Sequence, residues 1–170
     1  DIKVIGATTT DEYNTYVIRD RAFLRRFERI DILEPSEATT VDILFGSLPR
    51  MEKQTGIRMK YNDYVNRLLL ESIVKATSEF KRVYGLSAMY PDIAFSVLSG
   101  AFSNALFDNK KAVDVLDVYN AIRTSKRIYP DSIVKELSAF REKFKDFCTE
   151  EGIELPIVTI NDIEPLYEIS

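Results

Sequence analysis

The amino-acid sequence predicts a mainly α-helical protein, a helical bundle preceded by a short α/β stretch. Three observations predict it. From Ser36 onward, apolar residues recur every three or four positions. Alternating β-branched residues are confined to brief runs, the clearest at residues 2–6 and 29–33. Prolines and glycines punctuate the boundaries between periodic segments. Composition agrees, since 170 residues with 45% hydrophobic and 29% charged side chains can bury a core without disulfides or metals.

Each element follows in order. Ile2, Val4 and Ile5 predict a strand, and Ile30 and Ile32 a second. Two short strands cannot hold a sheet together, so the chain is expected to be a piece of something longer whose other strands lie elsewhere. Between them, Thr10 is the predicted cap of a helix with Asp11 and Glu12 at its positive end. That helix pauses near Asp20 and resumes through residues 22–27. Pro35 ends the second strand, and Ser36 caps a helix with the stripe Val41, Leu44, Leu48 and Met51. Pro49 lies inside that stripe and predicts a kink or break before the stop at Gly56.

The next stripe, Val65, Leu69, Ile73, Ala76, Phe80 and Val83, predicts a helix ending at Gly85. A third follows Pro91 and Asp92, with Ala94, Val97, Leu98, Ala101, Phe102 and Ala105 on one face; its small residues predict close helix packing. A fourth carries Val115, Val118, Tyr119 and Ile122. After Pro130, the residues Leu137, Phe140, Phe144 and Phe147 predict one amphipathic helix ending near Gly152 and Pro156. Residues 157–160 read as a short strand or extended link, and Asn161 and Asp162 as the cap of a last helical turn.

The chain has no histidine, which excludes Ser-His and Cys-His nucleophile pairs and histidine-bearing zinc sites. Its one cysteine, Cys148, excludes an internal disulfide, and Phe144 and Phe147 nearby mark it as a small core residue. Net charge is −4 with both signs interspersed, so no nucleic-acid surface is expected. The apolar runs are too short for a bilayer and no leader opens the chain, so a cytoplasmic protein with no membrane partner is expected. The six glycines stand singly and assemble no phosphate loop.

One stretch stands apart: residues 5–13 read Ile-Gly-Ala-Thr-Thr-Thr-Asp-Glu-Tyr, followed by Asp20, Arg25-Arg26-Phe27 and Glu34-Pro35-Ser36. In order and spacing this resembles the end of the large nucleotide-binding subdomain in the first ATPase module of Clp-family AAA+ unfoldases. The resemblance implies that Thr9 is the sensor-1 hydroxyl, which helps orient the water attacking the γ-phosphate. It implies that Arg25 and Arg26 are arginine fingers, reaching a neighbouring subunit's nucleotide to stabilise charge in phosphoryl transfer.

On the same resemblance, residues 1–35 end the large α/β subdomain and 36–107 form the helical lid. Residues 108–157 are a helical insertion, like a middle domain, and 158–170 close the module; alternatively residues 112–118 are the closing stretch. Pro91 and Asp92, in Tyr-Pro-Asp-Ile-Ala at 90–94, resemble the lid's Pro-Asp-Lys-Ala motif and are its candidate nucleotide-binding residues, although Ile93 stands where the family has lysine. The resemblance further implies a parent ATPase using ATP and Mg2+, with like subunits in a hexameric ring, protein substrates and a Clp-type peptidase as candidate partners. Lacking both the phosphate loop and the acidic metal-binding strand end, this segment alone is expected to hold no cofactor and to be inactive. The competing expectation is a degenerate AAA+-derived helical scaffold or adaptor that binds protein partners without hydrolysing ATP; Ile93 and Pro49 favour it.

Overall fold

The structure, a computed structural model, describes residues 2–86 and 89–164. The chain divides into two compact units, Asp1–Leu33 and Glu34–Ser170. Helices dominate, as the periodicity requires.

In the first unit, α1 (Thr10–Glu12) is capped by Thr9 rather than Thr10. The Thr9 hydroxyl accepts from the Glu12 amide, and the Glu12 carboxylate accepts from the Thr9 amide, a reciprocal box that only the residue three positions before Glu12 can close. A wide turn at Tyr13–Val17 follows, and Asp20 accepts from the amides of Ala22 and Phe23 to start α2 (Arg21–Leu24), the resumption expected there. The strands expected at 2–6 and 29–33 do not form: both runs lack regular structure, with Ile5 99% and Ile32 93% exposed. The reason is pairing. A strand's amides and carbonyls need a neighbouring ladder, and among the described residues neither run has one.

The second unit holds the core. α3 (Glu37–Thr55) starts at Ser36, whose hydroxyl accepts from the Thr39 amide, and stops where Gly56 takes φ 71°. Of the kink or break expected at Pro49, the break is absent: the helix runs through the proline. Leu44 and Leu48 are buried before the proline and Met51 packs against the core after it, so packing of both halves outweighs one missing backbone hydrogen bond.

Residues Arg58–Met59 (β1) and Ala112–Val113 (β2) pair in parallel, Arg58 beside Ala112. These two-residue strands join segments far apart in sequence, and their brevity hides them from any alternation pattern. α4 (Asp63–Ala76) is capped by Asn62 and buries Leu69, Leu70 and Ile73 completely. It ends well short of Gly85. The Thr77 hydroxyl donates back to the Ile73 carbonyl at 2.8 Å, while Lys81 Nζ and Arg82 Nε donate to the carbonyls of Lys75 and Thr77. Those side chains satisfy the helix end, and Phe80, expected on the buried face, is 93% exposed.

α5 (Asp92–Phe107) buries Ile93, Ala94, Leu98, Ala101 and Ala105, and packs on α6 (Val115–Arg123) with Gly100 facing Ala121, the close approach expected from its small residues. α7 (Pro130–Lys143) and α8 (Lys145–Glu151) replace the single helix expected after Pro130. Phe144, at ψ 11°, turns the chain, so that Phe140 and Phe144 meet at 4.6 Å while Phe147 reaches the Tyr61 ring at 4.8 Å. Gly152 at φ 67° ends α8. Of residues 157–160, the first three form a link rather than a strand, with Val158 in the core, and Thr159 caps the last turn, Ile160–Asp162, in place of Asn161. Of the closing segment expected at 158–170, residues 165–170 lie outside the described residues. One continuous apolar core joins α3 to α8 and includes Cys148. Among the described residues, no helix is long and apolar enough to cross a membrane.

Candidate functional site

Thr9, the predicted sensor hydroxyl, sits at the N-terminus of α1 and is exposed. Its oxygen accepts the Glu12 amide at 3.2 Å, and Glu12 in turn accepts the Thr8 hydroxyl at 2.8 Å and the Thr9 amide at 3.2 Å. The Thr8 hydroxyl, followed by the Thr9 amide and hydroxyl, holds the Glu12 carboxyl below its ordinary range. The triple-threonine run therefore carries a helix start whatever else it does.

Arg25 and Arg26 close α2, where the Arg26 amide donates to the Phe23 carbonyl at 3.0 Å. Both are exposed, and neither guanidinium forms an ion pair with a described residue. Their neighbour Arg29 differs: it pairs with Asp31 at 2.7 Å and lies over the Tyr13 ring at 4.4 Å. Two adjacent guanidiniums left to solvent suit an anion supplied from outside this chain, and their planar forks suit phosphate oxygens. No hydrogen bond links them to Thr9 among the described residues.

Pro91 and Asp92 open α5 in the second unit. Asp92 is exposed, and its carboxylate accepts from Arg127 at 3.0 Å. Ile93 beside it is completely buried, so the position where the resembling family has lysine serves the core here. Among the described residues, no group of three or more acidic or cysteine side chains is placed to hold a metal ion.

A cluster that sequence reasoning missed lies around Glu34, the first residue of the second unit. Its Oε1 accepts from Arg82 at 2.6 Å and from the Tyr90 amide at 2.7 Å. Arg82 is stacked over the Tyr90 ring at 4.4 Å and donates through Nε to the Thr77 carbonyl at 2.7 Å; the Tyr90 hydroxyl donates to the Val74 carbonyl. Burial pushes the Tyr90 phenol above its ordinary value, against the opposing effects of Thr77 and Arg82. The partners of this cluster lie up to 56 residues apart, beyond any local spacing signal. Glu34 and Tyr90 were visible in the sequence as members of short motifs, but not as partners of each other or of Arg82.

A second cluster caps α6. Lys110 Nζ lies 3.1 Å from Asp114 and 2.8 Å from Asp117, and the two aspartates exchange amide hydrogen bonds as a capping box. Burial opposes the charge on Asp114, but the Asp117 amide and Lys110 outweigh it and hold that carboxyl low. All three groups are satisfied, which makes the cluster a structural cap.

No protein-family model matches the chain. The ATP-dependent Clp protease ATP-binding subunit ClpL of Staphylococcus aureus, in strains USA300 and NCTC 8325, is 28% identical over 173 aligned residues, covering 96% of this chain and 23% of the relative. The corresponding subunit of strain MRSA252 is 29% identical over the same shares. The chain thus spans under a quarter of the length of the curated relatives it matches. Similarity over nearly the whole chain supports a relationship to the Clp AAA+ ATPases, the family that the motifs of residues 4–36 resemble.

Proposed function

We propose that this chain is the later part of a Clp-type AAA+ ATPase module, working within a longer protein that hydrolyses ATP in a ring and acts on protein substrates. The observation that carries the reading is similarity to ClpL over 96% of the chain, coinciding with the ordered motifs at Thr8–Thr9, Arg25–Arg26 and Glu34-Pro35-Ser36. In this reading Thr9 is the sensor hydroxyl, and Arg25 and Arg26 complete a neighbouring subunit's nucleotide site. Their exposure, and the lack of an ion-pair partner among the described residues, support that assignment. Residues 36–107 are the lid, with Pro91 and Asp92 toward the nucleotide, and 108–157 the insertion. ATP and Mg2+ bind through residues upstream in the parent, and a Clp-type peptidase is a candidate partner.

The test uses the full-length parent. Replacing Arg25 and Arg26 by Ala should cut ATP turnover roughly a thousandfold while nucleotide affinity holds, and lysine should rescue poorly for want of a planar fork. Mixing that variant with subunits lacking only their own phosphate-loop lysine should restore part of the activity. Normal turnover by the double variant, with rings that dissociate on dilution, would make the pair interface contacts. The buried Ile93 favours a second reading, a helical scaffold that docks protein partners without turnover; unchanged partner binding in a parent with no ATPase activity would decide for it.

A further inference from the structure

The boundary between the two units falls between Leu33 and Glu34. Leu33 is 84% exposed and residues 28–33 carry no regular structure, whereas the Glu34 carboxylate is only 24% exposed and is gripped from two sides. We infer that Glu34 is a pin: it fixes the end of the linker onto the helical unit, so that freedom of the chain stops at Leu33 and tension on the linker passes to the start of α5. The inference concerns the mechanics of this chain and stands apart from the nucleotide reading.

Three observations carry it. Among the described residues, Glu34 bonds to none of α3, the helix it precedes; its partners there are Arg82, beyond α4, and the amide of Tyr90, immediately before Pro91 and Asp92. The grip is rigid, because Arg82 is itself held by the Thr77 carbonyl and the Tyr90 ring and its side chain is 9% exposed. Arg82 is also braced from behind: it bridges to Ile128, where the Val83 amide donates to the Arg127 carbonyl and the Tyr129 amide to the Lys81 carbonyl. A load on Glu34 thus meets α4, α5 and the 127–129 strip together. Pro35 beside it lacks an amide hydrogen and has a fixed φ, which stiffens the step into the Ser36 cap.

Amide exchange tests the pin. In Glu34→Ala the Tyr90 amide should exchange about tenfold faster or more, while the Ile133 amide, bonded to the Tyr129 carbonyl in α7, keeps its rate. Arg82→Gln should do the same, and the double variant should be no faster than either single one. Glu34→Gln keeps an acceptor for Tyr90 but loses the ion pair; it should give a smaller acceleration and serves if the alanine variant fails to fold. Unchanged Tyr90 exchange in the single variants, or multiplicative effects in the double variant, would each overturn the inference.

Discussion

Replacing helical glycines by alanine separates backbone cost from packing, and the structure supplies both quantities. Gly46 lies in the middle of α3, exposed, and a Cβ added there meets nothing within 4 Å. Gly100 lies in the middle of α5, half-buried, and its added Cβ meets the Ala121 Cβ at 3.5 Å, an ordinary van der Waals contact. A glycine in a helix interior costs about 0.5–1 kcal/mol relative to alanine. Gly46→Ala should therefore stabilise the chain by about that much. Gly100→Ala should add a partly buried methyl, worth up to about 0.8 kcal/mol, for a total of about 1–1.5 kcal/mol. Gly56 is the internal contrast, since at φ 71° a Cβ is strained even in open space; Gly56→Ala should destabilise by about 1 kcal/mol.

Urea denaturation reads all three. With a slope of about 2 kcal/mol/M, Gly100→Ala should raise the midpoint by about 0.5 M at unchanged slope. Gly46→Ala should raise it by less, and Gly56→Ala should lower it. A lower midpoint for Gly100→Ala would mean that α5 and α6 approach too closely for any side chain, and would refute the packing described. A gain from Gly56→Ala would refute the left-handed helix stop.

Two further outcomes follow from single side chains. Tyr61 accepts the Val115 amide at 3.2 Å, and burial pushes its phenol up to about 12. The folded value lies above the unfolded one, so this contribution is complete below about pH 10 and is lost as pH rises from there toward 12. Alkaline unfolding followed by circular dichroism should therefore show a loss of stability in that window that Tyr61→Phe reduces, the buried Tyr90 and Tyr119 phenols contributing the same sign, while Tyr61→Phe costs about 1 kcal/mol at neutral pH by leaving the Val115 amide without an acceptor. Pro49→Ala should restore the amide that the Phe45 carbonyl lacks and raise stability by about 1–2 kcal/mol, after allowing for the more flexible unfolded chain; a lower melting temperature would show instead that the proline shapes α3 for its packing.

The helices were legible in the sequence because their cause is local. A buried stripe at Leu69 and Ile73, or at Ala94, Leu98, Ala101 and Ala105, repeats at the pitch of the helix, and caps such as Ser36 and stops such as Gly56 and Gly152 act within one turn. The roles proposed for Thr9, Arg25 and Arg26 rest on a different kind of signal, short ordered runs that a resemblance can match without any fold. What the sequence misjudged were balances between local and distant terms. Ile2, Ile5, Ile30 and Ile32 have the pattern of strands, but a strand exists only if another chain segment accepts its hydrogen bonds. Pro49 was expected to kink or break the helix, but the buried stripe of α3, on both sides of the proline, keeps it continuous. The parallel pairing of β1 with β2 and the grip of Arg82 and Tyr90 on Glu34 were decided by tertiary structure alone. Contacts between residues some 50 positions apart leave no period in the sequence, because the chain between them sets their geometry only after the core has formed.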